Sequence, residues 1–149
     1  MTDELPVPIL LARGVCRALA QRGYSTLTEF SLANGRRADV MGLGRGGELV
    51  IVEVKSSVQD FRSDGKWPEY REFCDRFYFA VPEGFPRDLI PEDCGLIMAD
   101  PFGAAILRES PLIAVASARR KAMTLRFALV GSDRLRRLLD PAAELPDLI

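Results

Sequence analysis

"GRRADVMGLGRGGELVIVEVKSS", residues 35–57, decides the fold. Asn34-Gly35 at its start is a strong hairpin-turn signal. "RADVMGL" (37–43) and "LVIVEVK" (49–55) are rich in β-branched and apolar residues, and "GRGGE" (44–48) separates them. They read as two strands joined by a glycine-rich turn. The preceding "STLTEFSL" (25–32) alternates in the same way and predicts a first strand. Three strands in series make an antiparallel meander. Alternation puts Val50, Val52 and Val54 on one face of the third strand and Glu53 and Lys55 on the other. If the second and third strands pair through the turn, Asp39 lies on the same side, near Glu53.

Charge inside two apolar strands admits two readings. In the first, Asp39, Glu53 and Lys55 form the solvated face of an edge strand, with a lysine–carboxylate pair across it. In the second, they form a site. Two facing carboxylates repel unless a proton or cation joins them. Mg²⁺ (or Mn²⁺) suits oxygen donors that share the ion with water and phosphate, and the Val54 carbonyl is a further candidate ligand. A lysine beside them would hold or polarise a water for attack on a phosphodiester.

Working outward, "ILLARGVCRALAQRGY" (9–24) has helical apolar spacing and a glycine stop. "SSVQDFRSDGK" (56–66) is polar and reads as a connection with a turn at Asp64-Gly65. "WPEYREFCDRF" (67–77) predicts a short helix with Tyr70, Phe73, Cys74 and Phe77 as its stripe. "FYFAV" (77–81) and "GLIMAD" (95–100) predict strands, and "GAAILRES" (103–110) a further edge strand. "SARRKAMTLRFALVGSDRLRRLLD" (117–140) predicts a helix with a break near Gly131-Ser132. The tail "PAAELPDLI" (141–149) reads as loosely held. The order is helix, three strands, helix, two strands, helix. That is an α/β fold with a mixed sheet flanked by helices. At 149 residues, with no repeat or linker, 1–149 is one domain.

Composition removes whole classes of chemistry. The chain has no histidine, which excludes Ser-His-Asp and Cys-His catalysis and histidine-bearing zinc sites. Cys16, Cys74 and Cys94 are scattered and odd in number, as expected of reduced thiols in a core. No apolar run approaches the ~20 residues of a membrane helix. The N-terminus "MTDELPVPILLARG" lacks the basic start of a signal peptide, so a cytoplasmic protein is expected. Net charge is −1, which is no nucleic-acid signature. The charge is uneven, however. Arg119, Arg120, Lys121, Arg126, Arg134, Arg136 and Arg137 crowd the C-terminal part, whereas residues 83–109 are mostly acidic. The basic run is either a solvated helix face or a phosphate-binding surface.

"RADV" followed by a turn and "IVEVK" resembles the PD-(D/E)xK nuclease superfamily. The predicted element order is also similar to that superfamily's restriction-endonuclease-like αβββαβ core. The resemblance implies that Asp39 and Glu53 are metal ligands and Lys55 the catalytic lysine. Ala38 stands where the name-giving proline would be. "GRRADVMGL", "EVKSSVQDFRSDGKWPEYREFCDRFYFAVP", "GLIMADPFGAAILRESP" and "ARRKAMTLRFA" together resemble the MmcB-like DNA repair proteins of alphaproteobacteria. That implies a bacterial protein of DNA damage repair, with DNA and other repair proteins as partners.

Further residues join the expected site. Glu29 is either a third acid or an exposed strand residue. Asp60, Asp64 and Lys66 follow the Lys55 strand closely. Related nucleases often place a Gln or Tyr on the next helix, which makes Tyr70 the candidate; its other reading is a core tyrosine. Trp67 reads more readily as packing than as a base-stacking residue. Arg119, Arg120 and Lys121 are the expected phosphate contacts. Gly42, Gly44 and Gly47 mimic a nucleotide-binding loop but lead into a strand rather than a helix, so they read as a turn. The function expected is metal-dependent hydrolysis of DNA. The alternatives are a non-cleaving DNA-binding repair module on the same fold, or a protein-interaction module using the acidic 83–109 surface.

Overall fold

The computed structural model describes residues 5–148; Met1–Glu4 of the N-terminal stretch and Ile149 of the tail lie outside it. A six-stranded sheet runs in sequence order: β1 (Tyr24–Ser31), β2 (Arg37–Gly44), β3 (Leu49–Val54), β4 (Arg76–Val81), β5 (Gly95–Ala99) and β6 (Ala104–Arg108). β1–β2 and β2–β3 are antiparallel, β3–β4 and β4–β5 parallel, and β5–β6 antiparallel. The sheet is therefore mixed. With α1 (Val7–Gln21) before the meander and α2 (Val58–Ser63) between β3 and β4, the order is αβββαβ, as the resemblance implied.

Strand alternation divides the core in two. Val40, Val50, Val52 and Tyr78 face Leu11, Val15 and Leu19 of α1. Met41, Leu49, Ile51, Phe77 and Phe79 face the other way, toward Phe61 of α2, Trp67 and helix α3 (Ser117–Leu139). Both clusters are dry, so each strand must keep its register or turn a charge into apolar packing. Asp39, Glu53 and Lys55 sit where the second cluster ends and the sheet's edge opens.

Three local expectations change. Residues 56–66 are not only a connection, because Val58–Ser63 form helix α2. Ser57 caps it by accepting from the Asp60 N–H (3.1 Å). Ser57-x-x-Asp60 is a capping-box spacing that marks a helix start in an otherwise polar stretch. Trp67–Phe73 is a 3₁₀ helix that stops before Cys74, and Phe77 belongs to β4. The chain leaves the helix because the Asp75 N–H bonds the Leu49 carbonyl (2.8 Å), drawing the next residues alongside β3. Helix α3 runs through Gly131 and Ser132 unbroken. A glycine costs a helix only about 1 kcal/mol. Phe127 and Val130 pack on the core here, and Arg134 donates to the Thr28 and Glu29 carbonyls (2.6 and 2.9 Å). Cys74 and Cys94 are buried and free as expected, and Cys16 is half-buried and free.

Candidate functional site

β2 and β3 pair regularly from Leu43↔Leu49 to Val40↔Val52, and the ladder stops there. The next positions in that register are Asp39 and Glu53, directly opposed. Here side chains replace the backbone ladder. The Asp39 N–H donates to Glu53 Oε1 (3.0 Å), and the Val54 N–H donates to Asp39 Oδ2 (2.8 Å). Each carboxylate thus satisfies a backbone donor at the other's strand, which fixes both without a cation. The two carboxyls also hydrogen-bond to each other.

The electrostatics of this pair are unfavourable for two charges. Glu53 is 4% exposed. Burial first, and then the facing Asp39 charge, push its carboxyl up to about 9. Burial also raises Asp39, against the bond from Val54. At neutral pH the pair therefore keeps a proton.

Lys55 does not neutralise them directly. Its Nζ lies 2.9 Å from Asp64 Oδ2 and 3.9 Å from Asp60 Oδ1. Burial alone would lower the lysine, but the bond and charge of Asp64 outweigh it and hold the ammonium above its usual value. Lys55 therefore stays cationic. It can stabilise negative charge and orient a water, but it is a poor proton acceptor. Asp64 is itself held by the Lys66 N–H on Oδ1 (2.9 Å), and Asp60 Oδ2 accepts from the Ser56 N–H (3.2 Å). The residues after β3 thus form a carboxylate bracket around the lysine.

Asp39, Glu53, Val54, Lys55, Asp60, Lys66 and Tyr70 line one groove of about 700 Å³, together with Asp64 and Arg37. Tyr70 packs in the core and reaches the groove with its hydroxyl. Its ring stacks on Phe77 with centroids 6.2 Å apart, and its hydroxyl donates to the Arg37 carbonyl (3.0 Å) beside Asp39. Trp67 stacks on Phe77 at 5.8 Å and packs edge-on to Phe79, so it is part of the core.

Two expected members are placed elsewhere. Glu29 is exposed and lines a separate cavity of about 190 Å³ that also reaches Asp39 and Val54. Its φ of +48° is the one left-handed backbone among the described non-glycine residues. That kink breaks the alternation of β1, so Leu27 and Phe30 both face the α3 side. The basic cluster lies at the other end of the sheet. Arg120 is bound to Asp75 and donates to the Gly47 carbonyl (2.8 Å), and Arg119 pairs with Glu72 (2.9 Å) over the Phe73 ring. Lys121 is exposed on the same turn of α3. Asp75 binds the first residue of β3, four residues from Glu53, or about 13 Å along the strand. The basic run of the sequence thus anchors α3 rather than lining the carboxylate groove. Asp64 is the member whose role the sequence hid: it caps the end of α2 in extended backbone, where its carboxylate meets Lys55, and no turn forms at Asp64-Gly65.

The MmcB-like DNA repair protein family model matches residues 6–142. The chain belongs to that family. A solved structure of the SPO1766 protein of unknown function from Silicibacter pomeroyi is 43% identical, with a TM-score of 0.92 over 96% of this chain and 98% of that one. The MmcB-like fold is therefore shared along nearly its whole length. Weaker likenesses are a repair endonuclease from Pyrococcus abyssi (18% identical, TM-score 0.41, 67% of this chain and 49% of that one) and EndoMS in a complex with double-stranded DNA (20%, 0.36, 68% and 48%). No curated protein matches the chain significantly. Among the described residues, no helix is long and apolar enough to cross a membrane.

The donor set fits a hard divalent cation. Among the described residues no three acidic, cysteine or histidine side chains converge as a closed metal cage. A buried and a half-buried carboxylate, opposed and open to a groove, are instead the donors Mg²⁺ uses when water and substrate oxygens complete its shell.

Proposed function

We propose that this MmcB-like protein hydrolyses DNA phosphodiester bonds at the Asp39–Glu53–Lys55 groove, with Mg²⁺ or Mn²⁺ as cofactor. The observation that carries this reading is the opposed pair Asp39 and Glu53, held by each other's strands, with a buried ammonium on the adjoining position. Asp39 and Glu53 would hold the ion, with the Val54 carbonyl as a further ligand. When bound, the ion would supply Lewis-acid polarisation of the phosphate and a more acidic water. Lys55, kept charged by Asp64, orients the attacking water and stabilises the charge that develops on the phosphate. Asp60 supports the same bracket, and Tyr70 fixes the Arg37 backbone next to Asp39. Arg37 and Lys66, both exposed on the groove, are the cations placed to meet the phosphates on either side.

The test is cleavage of labelled single-stranded, duplex, flap and junction DNA with Mg²⁺ or Mn²⁺. Wild-type protein is expected to cut at least one of them. Asp39→Ala and Lys55→Ala are each expected to lose at least about a hundred-fold in rate while remaining folded. Wild-type protein that binds DNA yet leaves every substrate intact would overturn hydrolysis and leave a non-cleaving repair module.

A further inference from the structure

The parallel strands β3, β4 and β5 end on one rim of the sheet. Glu53 and Lys55 occupy one part of that rim. The β5–β6 turn, residues 100–103, occupies another, two strand spacings or about 10 Å away across the sheet. Phe102 stands at its tip with 78% of its surface exposed. The turn is tightly built. The Asp100 carboxylate accepts from the Phe102 and Gly103 N–H groups (2.7 and 2.9 Å), and Arg17 of α1 donates to the Phe102 carbonyl (3.4 Å). Helix α1 presses so close that a Cβ on Gly14 would lie 1.8 Å from the Asp100 carbonyl oxygen. The ring is therefore presented from a fixed base.

A single exposed apolar residue needs no explanation by itself. Here two further features adjoin it. Phe102 borders an open groove of about 630 Å³ floored by Leu11, Pro82, Met98 and Pro101. Among the described residues no arginine lines the groove itself, but two reach residues of its wall. Arg17 touches the turn, Arg13 lies one helical turn before it on the same side of α1, and Arg87 reaches the Met98 sulfur (3.5 Å). Among the described residues none of these three forms an ion pair with a carboxylate. Glu83 is the acid on the groove, and the Asp100 carboxylate is occupied by its own turn. An aromatic face, an apolar floor and unpaired cations match a nucleotide with its base exposed. A fully paired duplex hides that base face.

We propose that Phe102 stacks on an unpaired base of a DNA strand whose phosphates meet Arg13, Arg17 and Arg87. This rests on the DNA reading above and narrows the substrate to DNA that carries unpaired nucleotides. At the ~3.4 Å per nucleotide of a helically stacked strand, the separation of the two places corresponds to about three nucleotides.

The experiment is equilibrium binding of 2-aminopurine-labelled single-stranded DNA and of matched duplex, in chelator so that no cleavage intrudes. Wild type is expected to quench the single-strand probe and to prefer it. Phe102→Ala is expected to weaken single-strand binding about ten-fold and abolish the quench, with duplex binding changed less than two-fold. Phe102→Trp should restore both. Phe102→Ala that binds and quenches like wild type would overturn the proposal while leaving the nuclease site intact. Wild type that binds no DNA would overturn both readings.

Discussion

The two ends of β3 each carry a buried carboxylate that accepts a backbone N–H group, and they behave oppositely. At the start of the strand, Asp75 takes the Leu49 N–H (2.7 Å) and the Val115 N–H (2.9 Å), and Arg120 pairs with it. Burial would raise this carboxyl, but Arg120 and the two amides outweigh it and hold it near 2. At the far end, Asp39 and Glu53 also accept amides, but they face each other while the nearby cation, Lys55, is turned to Asp64. Glu53 is left near 9. The first end is complete within the chain and holds the fold. The second keeps a raised carboxyl, the kind of perturbation that clusters at functional sites.

Substitutions at the two ends should separate these roles. The largest effect expected is on stability, from Asp75→Ala. It leaves Arg120 and two buried amides unpaired and should cost about 3–5 kcal/mol, read by urea unfolding. Glu53→Gln should do the reverse. Because the folded carboxyl lies near 9 and the unfolded one near 4.5, the protonated form's contribution is full below 4.5 and is lost as pH rises through 9. A neutral glutamine escapes that loss, so the variant should be more stable than wild type by roughly 1–2 kcal/mol at pH 8–9, with the gap closing toward pH 5.

Acid should affect the other end. Asp75 contributes stability above its unfolded value of 3.8, and that contribution, about 2 kcal/mol, is lost as pH falls toward 2. Asp75→Asn should flatten the acid limb of the stability curve, whereas Glu53→Gln should leave it unchanged. The smallest effect belongs to the exposed pair Arg119–Glu72. Arg119→Ala should change stability by at most about 1 kcal/mol and leave cleavage untouched.

The sequence made one end far more legible than the other. Period-two alternation in "LVIVEVK" placed Glu53 and Lys55 on one face, and the short turn 44–48 set the register that opposes Asp39 to Glu53. Those are local signals. Asp75 carried no such signal, since its partners lie 26, 40 and 45 residues away and are chosen by tertiary contact. For the same reason the basic run at 119–121 read as a phosphate surface, although Arg120 was already committed to Asp75. Glu29, read as either a third acid or an exposed strand residue, is exposed, at a left-handed residue that interrupts the alternation of its strand. Helix α2 was legible through Ser57 and Asp60 but masked by its polar composition. Resemblance, rather than periodicity, favoured a nuclease site over a wet strand face.

The most direct test of this contrast is calorimetric titration of Mn²⁺ in two buffers of different ionisation enthalpy at pH 7. Wild type should bind the ion and release about one proton per ion, because the proton held by the Asp39–Glu53 pair must leave. Arg120→Ala should do the same, and Glu53→Gln should neither bind tightly nor release a proton. Wild type that binds no Mn²⁺, or binds it with no proton released and no dependence on Glu53, would contradict the account.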